Sequence, residues 1–389
     1  MKKENYSPSQ VPVRKWIVGS QLQWKDRAVI ILAFALAWGL RGQHGHERGA
    51  ALAGAMAGLS LAAVTGGARW IGAAVIGSLT FAIGGSLSYG RFVSLAYAGS
   101  LEAISSLALI GFAWGGVGAL GLGLGLALPK YRLWERITIA GGLFLVWFLM
   151  DRLIWGRLTG PEDLATRQLM AAVLMGAWIL LSAYVGVWRQ DRTSLRLAFM
   201  GGIGCGIGFA VASWVQGVGQ LTGLHLDWWK VSEHLIGLFA GIGLVAGLSQ
   251  LEPHWTLPLS VRPWERWCAA AWLLWLLPLW LLANNLDFWI VERAVVPVWV
   301  GKLLWALCFL LLGLFAFWGW LEMKKGRTFA TSWSPRQLRT LFLSYLWLTT
   351  GIAVSKTLVY GRWTSTPTLF ILFAFVITLL ILSKKTHPQ

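Results

Sequence analysis

The stretch that decides the fold is EAISSLALIGFAWGGVGALGLGLGLA, residues 102–127. After Glu102 it carries no charged residue, and the next one is Lys130, just past Pro129. A helix needs roughly 20 apolar residues to cross a membrane, and this run exceeds that. Its glycines recur at close spacing, which lets helix backbones approach one another in lipid. GLGLGL at 121–126 lies inside the apolar run with no strand before it, so it lacks the context of a dinucleotide-binding loop.

The rest of the chain agrees. Of its 389 residues, 57% are hydrophobic and only 13% charged, and the mean hydropathy is +0.62. Soluble domains carry about 25% charged residues, so a soluble enzyme, a disordered chain and a disulfide scaffold are excluded. The fold class is all-α, a polytopic transmembrane helical bundle. About twelve crossings are expected, near 27–42, 48–66, 69–88, 102–127, 134–151, 168–188, 195–216, 233–251, 265–283, 301–321, 338–357 and 367–383. Residues 89–101 read as a loop, with a re-entrant segment as the alternative. Residues 1–26 form a basic cytoplasmic segment, 27–383 a single transmembrane domain, and 384–389 a cytoplasmic tail. The N-terminus lacks the short apolar core and cleavage site of a signal peptide, so the first crossing is expected to be retained.

The net charge of +17 follows from basic loops. Lys and Arg fall roughly two to one on the side of the N-terminus, whereas Asp and Glu show no such bias. Both termini are therefore expected in the cytoplasm of a bacterial-type inner (plasma) membrane. No segment reads as a DNA- or RNA-binding module, so no nucleic acid is expected as a partner. Cys205, Cys268 and Cys308 lie in apolar runs and read as structural thiols.

Segments recur along the chain. LPKYRLWER at 128–136 returns as LPLSVRPWER at 257–266, and LSYGRF at 87–92 returns as LVYGRW at 358–363. We read parallel copies of a helix pair near 27–66, 69–127, 195–251 and 338–383, with Trp-rich pairs inserted at 134–188 and 265–321. Parallel repeats occur in transporter folds and elsewhere. In three copies the second helix opens on a glutamate, Glu47, Glu102 or Glu233; the fourth has Thr364 to Thr366 there. The Gly-rich helices at 48–66, 102–127, 195–216 and 233–251 carry spacings such as Gly54/Gly58, Gly204/Gly208 and Gly237/Gly241, and are expected at the centre. The tryptophans at 264, 267, 272, 275, 280, 299, 305, 318 and 320 suit the lipid-facing periphery and interfacial belts. A carbohydrate or lipid groove is the alternative.

The most polar connection is RGQHGHERG, residues 41–49. Arg41, His44, His46, Glu47 and Arg48 there are either a candidate site or a structural corner with Glu47 as a helix-start charge. A second cluster, LTGLHLDWWKVSEH at 221–234, adds His225, Asp227, Lys230, Glu233 and His234. Other copies supply Tyr89, Arg91 and Glu102, then Lys356, Tyr360 and Arg362. Parallel repeats would gather these on the outer face as one polar site. Arg41, Arg48 and Arg91 suit an anion, since guanidinium forks bind carboxylate or phosphate. His44, His46 and Glu47 are metal-ligand types, but the spacing is not HExxH and the arginines oppose a cation, so no metal or other cofactor is expected. Asp151 and Arg152 read as an interfacial ion pair, and Asn284, Asn285 and Asp287 as a solvated helix end. No nucleotide-binding motif appears, which excludes an autonomous ATP-driven pump.

Three functions fit this pattern. The first is a secondary transporter or permease for a small polar or anionic solute, with proton coupling through the carboxylates and histidines. The second is a membrane enzyme acting on a lipid or lipid-linked substrate at the outer face. The third is a structural subunit whose polar loops meet partner subunits. Membrane lipids are partners in all three.

Overall fold

The computed structural model describes residues 22–65, 69–87, 89–97, 99–158, 164–251, 263–288, 334–359 and 365–383, with parts of 297–321. The described residues form helices and short connections only. The helices are α1 (Trp24–Arg41), α2 (His46–Thr65), α3 (Arg69–Gly85), α4 (Gly90–Tyr97), α5 (Leu101–Ala127), α6 (Leu133–Phe148), α7 (Leu164–Ala183), α8 (Arg192–Leu221), α9 (Trp228–Ser249), α10 (Pro263–Ala271), α11 (Leu277–Asp287), α12 (Pro335–Val359) and α13 (Ser365–Leu382). π-Helical segments follow α6 and α7, at Leu149–Leu158 and Tyr184–Trp188, and another joins α10 to α11 at Trp272–Leu276.

Among the described residues, 8 helices are long and apolar enough to cross a membrane. Ile71–Gly85 and Trp267–Ala283 are shorter apolar helices. The crossing expected at 301–321 is described only in part, and segments 1–21 and 384–389 lie outside the described residues. Two local expectations need correction. Residues 89–101 are not a plain loop, because α4 forms there and packs on α5 and α8. The chain then turns at Gly99, whose φ of +82° suits a residue without a Cβ. Ser100 caps α5 by accepting the Ala103 N–H at 3.2 Å. The second correction concerns α9, which begins at Trp228 because Asp227 caps it, accepting the Lys230 N–H at 3.1 Å. Glu233 is therefore in the second turn rather than at the helix start.

Six helices close a ring. α1 packs on α2, α2 on α3, α3 on α5, α5 on α8, α8 on α9, and α9 returns to α1. All four helices expected at the centre are in it, and α1 and α3 complete it. Glycine permits the close approach. A Cβ on Gly237 would lie 2.6 Å from the Phe34 carbonyl oxygen, and one on Gly241 2.8 Å from the Ile31 Cα. The ring is filled by aromatic side chains. Trp38 and Trp114 lie 5.0 Å apart between ring centroids, and Phe34, Phe81 and Phe209 pack around them. The Trp114 indole N–H donates to the Phe81 carbonyl at 2.9 Å, which satisfies its polar atom inside the core.

The remaining helices lie outside the ring. α6 and α7 pack on α3 and α5, α10 and α11 on α3 and α2, α12 on α2, and α13 on α1. Of the apolar windows, 89% of the α2 residues and 83% of the α5 residues are buried, against 17% in Leu133–Ile154. The α6 helix therefore stands largely outside the packed core. Trp299 and Trp318 are exposed, Trp272 and Trp280 half-buried, and Trp267 buried. The side chain of Trp264 lies outside the described residues, as do Trp305 and Trp320. The peripheral assignment thus fails for Trp267, and Trp38 and Trp114, which it did not cover, fill the centre. The two WER segments meet, with Arg136 donating to Glu265 in an ion pair. Asp151 and Arg152 pair at 3.1 Å. Cys205 is buried, Cys268 exposed, and both are free thiols; Cys308 lies outside the described residues.

Candidate functional site

The connections after α1, α3 and α8 come together at one end of the bundle, beside the last turns of α12. Arg41 ends α1 and is 2% exposed. Its Nη1 donates to the Tyr89 hydroxyl at 3.1 Å, and its Nη2 to His46 Nδ1 at 3.4 Å. The guanidinium carbon lies 4.8 Å from the Trp114 ring centre, 5.1 Å from that of Tyr89 and 5.9 Å from that of Trp38. These rings give the cation quadrupole attraction, but no carboxylate among the described residues forms an ion pair with it. Arg41 Nε is buried and makes no hydrogen bond.

Tyr89 holds this arrangement from the other side. It stacks on Trp229 at 6.3 Å with an interplanar angle of 8° and meets Phe209 edge-on at 4.9 Å. Burial pushes its phenol well above the usual range, although the Arg41 charge opposes the shift. Tyr89 therefore stays protonated.

The start of α9 supplies a second buried pair. Lys230 donates to Glu233, and both are buried. The Lys230 ammonium also reaches the Gly39 carbonyl at 3.4 Å. A Cβ on Gly42 would lie 3.0 Å from Lys230 Nζ and 3.4 Å from Glu233 Oε1, so glycine there admits the pair beside the end of α1. His234 donates from Nδ1 to the Lys230 carbonyl at 2.7 Å, while its buried Nε2 has no partner. Its ring packs on Phe370 and Phe373. Asp227 ties α9 to α13, accepting from Thr366 Oγ1 at 2.6 Å while its own N–H donates to Ser365 Oγ at 3.0 Å. His225 sits in the exposed connection before α9.

His44 is fully buried and serves as a bolt. Its Nε2 donates to the Thr349 carbonyl at 3.2 Å, and its Nδ1 accepts from Asn285 Nδ2 at 3.3 Å. The side chain thereby links the α1–α2 connection to α12 and α11. Burial lowers its pKa from 6.5 to about 4, so it is neutral near pH 7. Asn285 is likewise fully buried, which corrects the expectation of a solvated end at that residue; the side chains of Asn284 and Asp287 lie outside the described residues. Lys356 donates to the Gln43 carbonyl at 3.3 Å and lies 4.5 Å from the Phe288 ring centre.

The three glutamates expected together go separate ways. Glu233 joins Lys230, Glu47 accepts the Trp147 indole N–H at 2.8 Å, and Glu102 is exposed. Among the described residues no hydrogen bond or ion pair joins one of them to another, or to Arg41 or Arg48. Arg48 is partly exposed beside Glu47. The side chain of Arg91 lies outside the described residues, as do Tyr360 and Arg362. His44, His46 and Glu47 point to three different partners, and no three His, Cys, Asp or Glu side chains converge among the described residues. Sequence reasoning missed the cage residues Trp38 and Trp114, Trp229 stacked behind Tyr89, and the Trp147 partner of Glu47. Only one signal could have found the cage: Trp38 lies three residues before Arg41, on the same helical face.

A buried guanidinium with a free N–H, a nearby imidazole and a phenol hydroxyl present three kinds of polar group around one point. Helices of this length and apolarity, ringed around an aromatic core, define a membrane-embedded all-helical protein. No protein family, curated protein or solved structure matches the chain.

Proposed function

We propose that the protein is a secondary transporter or permease of a bacterial-type inner membrane that moves a small anionic solute. About twelve crossings, parallel repeats and cytoplasmic termini complete this reading. The observation that carries it is Arg41, a buried cation inside an aromatic cage with no carboxylate partner among the described residues. Ionisable groups buried at membrane depth are costly and mark ligand or ion pathways. A structural arginine would be paired.

The test uses the full chain in proteoliposomes loaded against a panel of small carboxylates and phosphate. Wild type should show saturable flux of at least one anion. Arg41→Gln should abolish it, and Arg41→Lys should weaken it, because lysine loses the guanidinium fork. Removing an unpaired buried charge should leave the melting temperature unchanged or raised. A loss of stability in Arg41→Gln, with no change in anion flux or binding, would assign Arg41 a structural role. The topology is tested separately by reporters: one after Lys325 should be cytoplasmic and one within 160–165 external.

One observation favours a second function, an enzyme acting on a lipid substrate. Trp147 lines an apolar crevice and also donates to Glu47, which brings a carboxylate beside a lipid-accessible cleft. Hydrolysis or transfer on a labelled lipid, lost in Glu47→Gln, would support it over transport.

A further inference from the structure

The bundle has a cavity of about 280 Å³ between α3, α5 and α6, lined by Ile76, Leu124, Leu143, Phe144, Arg136 and Trp147 among others. Its polar groups are largely engaged. The Thr80 hydroxyl donates to the Ile76 carbonyl at 2.9 Å, the Tyr131 hydroxyl to Asp191 at 3.0 Å, and the Trp147 indole to Glu47. What remains is hydrocarbon, and an unfilled apolar void forfeits the contacts of its lining. Membrane lipid is the medium available to fill it. From Arg136 to Trp147 the α6 axis rises by about 16 Å, close to one leaflet, half of the roughly 30 Å hydrocarbon core.

The end of the crevice at Arg136 is basic. Arg136 gives its Nε to the Tyr131 carbonyl at 2.9 Å and its Nη1 to Glu265. No hydrogen bond to its Nη2 occurs among the described residues. Arg132 is exposed one helical turn earlier, and Lys130 is exposed beside it. Trp134, 59% exposed, stands at the same level, where tryptophan anchors a helix at the membrane interface. Basic pockets between transmembrane helices hold anionic lipid head groups.

We propose that this crevice seats one acyl chain of an anionic phospholipid, whose phosphate is held by Arg132 and Arg136. The lipid serves as a wedge that fixes α6 against the ring. The head-group end of the crevice lies at the opposite end of the bundle from Arg41, and the proposal is independent of the transport reading.

The experiment takes the purified full chain, stripped of lipid in detergent. It is offered phosphatidylglycerol or phosphatidylcholine with identical acyl chains. Native mass spectrometry should show one phosphatidylglycerol retained per chain under conditions that remove phosphatidylcholine. Arg132→Gln should weaken retention about fivefold, the usual effect of one basic side chain. Ala140→Trp, which fills the crevice from its exposed lining, should abolish retention. Should that variant fail to fold, a phosphatidylglycerol with a photoreactive acyl chain answers the same question on wild type, and should label Leu79, Leu143 and Phe144. Equal retention of the two lipids overturns the proposal. So does retention that survives in a folded Ala140→Trp chain, or labelling spread evenly over the exposed faces of α7 and α13.

Discussion

Lowering the pH should loosen the bundle through His44. The neutral ring donates to the Thr349 carbonyl and accepts from the Asn285 amide, so a second proton would face the Asn285 N–H donor. Burial therefore lowers the folded pKa from 6.5 to about 4. Between those values the unfolded chain binds the proton and the folded chain does not. Stability must fall as pH drops through this window and be unaffected above it. The whole drop is worth about 3 kcal/mol at 1.36 kcal/mol per pH unit, and about 2 kcal/mol of it is lost by pH 5. The assay is thermal melting of the detergent-solubilised chain, followed by tryptophan fluorescence at pH 5, 6 and 7.5. His44→Gln is the control, since glutamine can still donate to Thr349 but does not titrate. His46 and His234 are present in both proteins and cancel in the comparison. Wild type should lose a few degrees more than the variant between pH 7.5 and 5. Parallel pH profiles would refute the bolt, as would a difference that appears only above pH 6.5.

Three further outcomes follow from packing and charge. Gly241→Leu should destabilise by about 1–3 kcal/mol, because its side chain enters the α1 backbone at Ile31, whereas Trp299→Leu on an exposed face should cost less; the reverse melting order would undo the division into ring and periphery. Lys230→Met should cost about 3–5 kcal/mol by stranding the buried Glu233 carboxylate, and adding Glu233→Gln should recover most of that, which a double-mutant melting cycle measures. Glu47→Gln keeps the acceptor for the Trp147 indole, so expression and melting should stay near wild type; a large fall in melting temperature would make Glu47 a structural corner.

Much of the fold was legible because the bilayer imposes it. A run such as 102–127 leaves no alternative to a helix, and Gly237 and Gly241 mark where two helices touch. The α4 helix escaped notice because it is too short to show a hydropathy signal. The start of α9 was misplaced because Trp228 and Trp229 follow a polar stretch, and the cap that fixes it is the single side chain of Asp227. At the site, residue type marked a polar end of the bundle but not its pairings. Glu47, Glu102 and Glu233 read as equivalent in the sequence, yet each meets what its own neighbours provide: an indole on α6, solvent, and a lysine one turn earlier. Trp38 and Trp114 resemble any other tryptophan in the sequence. Their central position follows from the closure of the ring, which no local pattern encodes.

The cage around Arg41 and the aromatic plug are not separate structures. Trp38 and Trp114 face the guanidinium on one side and pack on Phe34, Phe81 and Phe209 on the other. An anion that draws Arg41 toward its own charge weakens the cation–π contacts on both indoles at once. Those two rings also close the middle of the ring of helices, so in the proposed transporter the group that senses the solute rests directly on the barrier. A ligand shifts a conformational equilibrium only by its differential affinity for the two states. In the proposed transporter that differential contact would be Arg41, held by the rings in the closed state and by the anion in the open one. On that proposal, a buried guanidinium with no carboxylate partner among the described residues has a role. A permanent partner such as Glu233 would satisfy Arg41 in every state, and the solute would then have no charge left to move.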